Sequence, residues 1–371
     1  MQIEVSREGE KKEQNSTGEK EGAVEQKNKK SSAESELRQD IVTGDWVVIA
    51  VGRAKRPEDF SKVEYSTQQI ESDSDIGDCL FCDPVASGQE KDVLIYSKSD
   101  GEWTLRVFPN KYPAFSRGKI PRPMEDGPYF AMTGTGYHEV IVTRDHFRHI
   151  QDLGIFEIAE IFDAFQDRYL ALMRKKSVNY ITIFHNFGKE AGASIAHPHS
   201  QLMAIPVISP YIRQELEGAE IYFKSIRKCV YCEMAEYEER KQQRVVAQNK
   251  NFIAFCPFAS RSAFEIWVMP KKHSPYFERI TDEEKVDLAE VFKAAMASIK
   301  GAVNNPPYNF YIHTSPCDGK DYRHYHWHIE ILPHTSTWAG FELQTGIEIS
   351  MIQPEVAAES LRDFLKNNPN Q

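Results

Sequence analysis

The chain has 371 residues, too long for one ordinary small domain and long enough to bury a core without staples. Its formal net charge of −10 argues against a general nucleic-acid binder, and no apolar run approaches the ~18 residues a membrane helix needs. The aromatic content (21 Phe, 16 Tyr, 5 Trp) is high enough to line cores and a binding cleft.

In chain order, residues 1–36 come first. They are rich in Glu, Lys, Ser and Gln and poor in large apolar side chains, so a disordered polar tail is expected. No hydrophobic signal core is visible, which gives a cytoplasmic expectation. Six cysteines follow: Cys79, Cys82, Cys229, Cys232, Cys256 and Cys317. Four form the pairs CLFC and CVYC. In a large chain with no export signal such pairs point to metal or redox chemistry. Neither pair is predicted to open a helix in a thioredoxin-like pattern, which favours metal. Cys256 and Cys317 read as core thiols.

After CLFC, an apolar run ends in EVIVTRDH at His146. A helix pattern covers about Ile155 to Met173, then come a strand-like YITIFHNFG, a small-residue loop and His197. After CVYC, AFEIWVMPKKH ends at His273. A helix pattern covers about Glu283 to Lys300, then come YNFYIHTSP, a loop and His324. The two histidines are 51 positions apart in both halves, which marks an internal duplication. Strands with a helix between two of them predict an α+β fold of mostly antiparallel sheet with packed helices. The expected units are 37–210 and 211–371, joined into one larger sheet.

The repeat supplies two candidate sets of four ligands. They are Cys79, Cys82, His146 and His197, then Cys229, Cys232, His273 and His324. Thiolate and imidazole in fours suit tetrahedral zinc, so two zinc ions per chain are expected. The alternative is a pair of reduced, buried turns whose histidines are merely hydrogen-bonded.

SIAHPHSQL places His199 two residues beyond His197. On a strand such residues share a face, so His199 sits beside a metal corner without competing for it. The loop before it, NFGKEAGAS, has small residues at Gly192 and Ala193 that let backbone N–H groups approach an anion. Gln201 faces the same way and can donate to a phosphoryl oxygen. Imidazole, donors and an anion cradle suit nucleophilic catalysis. The alternative for His199 is a polar strand residue or an accessory ligand. HYHWH, with His324, His326 and His328, is a second version of this strand but lacks the small-residue loop.

Taken together, from Leu37 to Leu365 the chain resembles the galactose-1-phosphate uridylyltransferase family, a branch of the histidine-triad superfamily. The resemblance implies two histidine-triad-like halves. GDWVVIAVGRAKRP implies phosphate contacts from Arg53 and Arg56. RVFPNKYPAF points to Phe108, Asn110 and Lys111 in the nucleotide pocket. Asn186 and Ser194 match polar contacts to the phosphates and hexose. HPHSQ implies His199 as nucleophile and Gln201 as the group that steadies the phosphoryl, and GFELQTG points to Glu342 at the hexose. The implied reaction moves a nucleoside monophosphate from UDP-glucose to galactose 1-phosphate through a nucleotidyl-histidine, in a homodimer. No lysine precedes GFELQTG in HTSTWAG, and IEISMIQ after it offers no clear match for the glutamine expected there. These departures resemble a divergent branch that includes an ADP-glucose phosphorylase, with inorganic phosphate as acceptor. A histidine-triad nucleotide hydrolase is a further alternative, opposed by Gln201 where hydrolases keep a third histidine. Neither nucleic acid nor membrane is an expected partner.

Overall fold

The computed structural model describes residues 34–50, 56–65, 74–77, 79–118 and 120–369. Strands β1 (Glu36–Gln39) and β2 (Trp46–Ile49) lead into short helices α1 (Pro57–Phe60) and α2 (Ser74–Gly77). The first half then supplies β3 (Leu94–Ser97), β4 (Trp103–Pro109), the hairpin β5 (Pro123–Asp126) and β6 (Tyr129–Met132), β7 (Tyr137–Thr143), α3 (Ile155–Leu172), β8 (Tyr180–Phe187) and β9 (His199–Ile205). Helices α4 (Pro210–Ile226) and α5 (Val230–Lys241) follow. The second half adds β10 (Val245–Gln248), β11 (Phe252–Phe255), β12 (Ile266–Pro270), α6 (Asp282–Ala302), β13 (Tyr308–His313) and β14 (His328–Pro333). The chain closes with α7 (Gly340–Thr345), β15 (Glu348–Ser350) and α8 (Pro354–Asn367).

Ten strands form one sheet in the order β10-β11-β12-β14-β13-β8-β9-β7-β4-β3. Every adjacent pair in it is antiparallel. Read from each outer edge inward, both halves follow the same path, and they meet where β8 pairs with β13, His185 opposite Phe310. The expected α+β architecture with a duplicated sheet is what the chain adopts. The hairpin β5–β6 lies within the extra length of the first half.

The two crossover helices cover one face of the sheet. α6 begins with a reciprocal cap: Glu284 N–H donates to Thr281 Oγ1 (3.2 Å) and Thr281 N–H donates to Glu284 Oε2 (2.9 Å). α3 starts where Gly154 N–H donates to Glu157 Oε2 (2.7 Å). Its Ile158, Ile161, Phe162, Phe165, Tyr169 and Leu172 recur at helical spacing and are buried. Phe162 meets Phe292 of α6 edge-on, ring centroids 5.5 Å apart. Leu202 and Ala204 of β9 join this core. Strand alternation therefore sends His199 and Gln201 to the opposite face.

In the second half that opposite face is covered. Ile212, Leu216 and Ala219 of α4 and Val230, Tyr231 and Ala235 of α5 pack with Phe255, Trp267 and Met269 in a second core. Among the described residues no helix is long and apolar enough to cross a membrane.

Candidate active site and metal centres

In the first half Cys79, Cys82, His146 and His197 converge, their ligand atoms all within 4.8 Å of one another. His197 Nδ1 lies 3.5 Å from each sulfur and 3.3 Å from His146 Nδ1, which is 3.2 Å from Cys82 Sγ. Zinc with bonds of ~2.0–2.3 Å in a tetrahedron needs ligand–ligand edges of about 3.3–3.8 Å, so the set fits the ion. His197 Nε2–H donates to the Thr143 carbonyl (2.7 Å), leaving Nδ1 as the ligand atom. Burial and the adjacent Cys79 push the Cys82 thiol up to about 12.

The second set requires a correction. The residue that joins Cys229, Cys232 and His273 is His326, not His324. Cys232 Sγ is 3.3 Å from His273 Nδ1 and 3.4 Å from His326 Nδ1. His324 is half-buried beside Tyr322 instead. The equal spacing of 51 fails because the second half needs two more residues to reach its strand. The informative signal was the pair itself: His197-Pro-His199 and His326-Trp-His328 each run straight into a strand. A second correction concerns CVYC. Cys229 is the N-cap of α5, so this pair does open a helix. The four-ligand set around it keeps the metal reading.

His199 is buried, and its Nδ1–H donates to the His197 carbonyl (2.9 Å). That bond fixes the tautomer and gives Nε2 the lone pair. Burial holds the imidazole below its ordinary value, against the opposing effect of that bond, so it is neutral near pH 7. Phe81, inside CLFC, packs its ring 5.2 Å from that of His199 and 5.7 Å from that of Phe108. The CLFC turn therefore also walls His199, a role the sequence reading missed. His138 was missed too: its Nε2 lies 2.8 Å from Gln201 Oε1 and 3.2 Å from Asn110 Nδ2.

Other expected contacts divide. Asn110 stands beside His138 and Gln201, as just described. Asn186 Oδ1 accepts from Asn309 Nδ2 (2.8 Å), at the edge of the loop that holds Gly192. Lys111 is exposed, with its Nζ beside Gly88. Phe108 is fully buried against Phe81 and offers no surface to a ligand. The anion cradle changes as well. Ala191 and Ala193 N–H donate to the Gly188 carbonyl (3.2 and 3.1 Å) and Gly192 N–H to the Lys189 carbonyl (3.0 Å). These donors close a turn, which Gly188 and Gly192 permit at φ 85 and 88. The exposed Ser194 follows directly. Arg56 is exposed at the start of α1, where its N–H donates to Asp59 Oδ2 (2.9 Å). Glu342 accepts from Ala339 N–H (3.0 Å), a bond within the first turn of the exposed helix α7. Arg53 lies outside the described residues.

The fold is thus a ten-stranded sheet of duplicated halves that sets His199 beside a Cys₂His₂ cluster. A family described as "Galactose-1-phosphate uridyl transferase, N-terminal domain" matches residues 24–208, and one described as "Domain of unknown function (DUF4921)" matches residues 125–370. An ADP-glucose phosphorylase of Arabidopsis thaliana is 35% identical over 88% of this chain and 92% of its own. A galactose-1-phosphate uridylyltransferase of Thermotoga maritima is 30% identical over 88% and 98%. The crystal structure of an ADP-glucose phosphorylase from Arabidopsis thaliana with bound ADP-glucose superposes with a TM-score of 0.73, at 32% identity, over 89% of this chain and 99% of that one. The chain belongs to the galactose-1-phosphate uridylyltransferase family.

Proposed function

We propose that His199 Nε2 attacks the α-phosphorus of a nucleoside-diphosphate hexose. The hexose 1-phosphate leaves, and a nucleotidyl-histidine remains. A second phosphate oxygen then takes the nucleotide and frees the imidazole. The observation that supports this reading is the His199 Nδ1–H bond to the His197 carbonyl, which leaves the Nε2 lone pair available for attack. Gln201 meets the equatorial oxygens, where one such donor is worth a factor of ~10²–10³ in rate.

UDP-glucose with galactose 1-phosphate is one substrate pair. ADP-glucose with inorganic phosphate is the other, and two observations favour it: the departures around GFELQTG, and the 35% identity to a protein named for that activity. Two zinc ions per chain, one in each Cys₂His₂ set, complete the proposal. Zinc would supply no group to the reaction in this reading; held by His197 and Cys79, it would tie the residues just before β9 to the CLFC turn. Exposed Trp338, Phe341 and Leu343 around α7 support a homodimer in which Glu342 serves the neighbouring site.

Four incubations test the reading. UDP-glucose or ADP-glucose is offered with galactose 1-phosphate or inorganic phosphate, and products are separated. ADP from ADP-glucose and phosphate is the expected product. A protein that turns over a nucleotide sugar with no acceptor present is a hydrolase, and the transferase reading is then wrong.

A further inference from the structure

Gln201 can serve a phosphoryl group only with its NH₂ end forward, because Oε1 would face anionic oxygens. Something must hold the amide that way round. On β7, His138 is nearly buried, and its Nε2 lies 2.8 Å from Gln201 Oε1 and 3.2 Å from Asn110 Nδ2. Asn110 is anchored independently. Its own N–H donates to the His138 carbonyl (2.8 Å), and its Oδ1 accepts from Tyr112 N–H (2.8 Å). The Asn110 NH₂ therefore faces the imidazole whatever Gln201 does.

One neutral ring nitrogen cannot both accept from Asn110 and donate to Gln201, so the position of a single proton decides. His138 Nδ1 is buried and has no hydrogen-bond partner among the described residues. A proton there would be a stranded donor, which folded proteins rarely tolerate. It would also leave Nε2 as an acceptor, and Gln201 would turn its NH₂ inward and its oxygen toward the phosphate. A proton on Nε2 instead makes the shorter contact, Nε2–H to Gln201 Oε1 (2.8 Å), and leaves the longer Asn110 Nδ2 approach (3.2 Å) a contact without a hydrogen bond. We propose that His138 is a positioning residue whose Nε2–H holds the Gln201 amide with its NH₂ end toward the phosphoryl group. The inference rests on the nucleotidyl-histidine reading and names what aims its electrophilic side. Burial lowers the imidazole's proton affinity, with the Gln201 bond opposing, which agrees with a single-proton ring.

The test compares His138→Leu, His138→Gln, Gln201→Ala and the double variant His138→Leu with Gln201→Ala. Each is followed by the single-turnover rate of labelling with a nucleotide sugar carrying ³²P at the α-phosphorus, and by kcat and KM. His138→Leu should slow labelling by about 10- to 100-fold, a part of what a lost transition-state donor costs. KM should move by less than about threefold. The double variant should be no slower than Gln201→Ala, because the two act as one unit. His138→Gln, whose amide can place a donor where Nε2–H was, should recover most of the rate. If His138→Leu does not fold, His138→Ser is read the same way. A folded variant lacking the donor but labelled at the wild-type rate overturns the proposal, as do losses that multiply in the double variant. Label that persists in His199→Ala overturns the nucleotidyl-histidine reading itself, a separate result.

Discussion

His328 occupies in the second half the place that His199 holds in the first. Each stands two residues beyond a histidine of a Cys₂His₂ set and opens a strand of the sheet. Each directs Nδ1–H to that histidine's carbonyl, at 2.9 Å for His199 and 3.1 Å for His328. The second imidazole is nevertheless unfit for attack. It is fully buried and stacked on Trp267, ring centroids 4.7 Å apart, with Nε2 3.5 Å from Glu330 Oε1 and 3.9 Å from Glu215 Oε1. α4 and α5 carry the residues that close over it.

The two histidines should therefore separate in experiment. His199→Ala abolishes the covalent label. His328→Ala leaves label at His199 but removes a buried ring stacked on Trp267, while Glu215 keeps Tyr325 and His313 and Glu330 keeps Arg261. Cutting a large buried side chain back to alanine costs about 2–5 kcal/mol, readable as a lowered urea midpoint. Loss of label in a folded His328→Ala protein would contradict the division of labour.

Metal content distinguishes the two second-half histidines. Wild type should carry two zinc ions by elemental analysis, His326→Ala one, and His324→Ala two. Cys82→Ser should also drop to one and lose most activity, because His197, proposed as a ligand of the same ion, presents the carbonyl that fixes the His199 tautomer. A His324→Ala protein with a single zinc would restore the spacing-based assignment.

These contrasts mark how far the sequence reaches. The duplication, the sheet-and-helix alternation and the first ligand set are legible because they rest on spacing and periodicity, which the repeat conserves within one chain. His326 was hidden because spacing was counted from His273 across a loop that differs in length between halves, while strand entry is what fixes a ligand. Phe81 and His138 were hidden for another reason. Each looks like a core or surface residue until β4, β7 and β9 bring it against His199 or Gln201, and no local pattern encodes pairing between strands more than 60 residues apart, as with Gln201 opposite Val140.

Acid sensitivity should have an identifiable part. His149, packed edge-on against Phe187 with centroids 4.5 Å apart, is held at about 4 by burial, below its ordinary 6.5. Above pH 6.5 neither the folded nor the unfolded chain protonates it, and nothing is lost. Between 6.5 and 4 the unfolded chain takes up a proton that the folded one refuses, so stability falls as pH falls. Below about 4 the loss levels off. The gap corresponds to at most ~3 kcal/mol. Urea unfolding from pH 7.5 to 4.5 should show a shallower decline in His149→Asn than in wild type. Parallel declines would mean that this histidine is not a contributor.

The crossing of α6 and α8 gives a prediction independent of the site. Gly301 lies near the end of α6 where the Phe364 ring of α8 comes down on it, and a Cβ at 301 would stand 1.9 Å from Phe364 Cζ. Helical backbone tolerates alanine better than glycine by ~1 kcal/mol, so propensity alone predicts a gain. The clash outweighs it, since forcing a methyl into a filled core costs typically about 1–3 kcal/mol. Gly301→Ala should therefore lower the melting temperature while nucleotidyl labelling at 25 °C persists. Pairing it with Phe364→Leu, which withdraws the ring, should recover part of the loss. A more stable single variant would show that α8 shifts freely on α6, and that the glycine is not there to admit the ring.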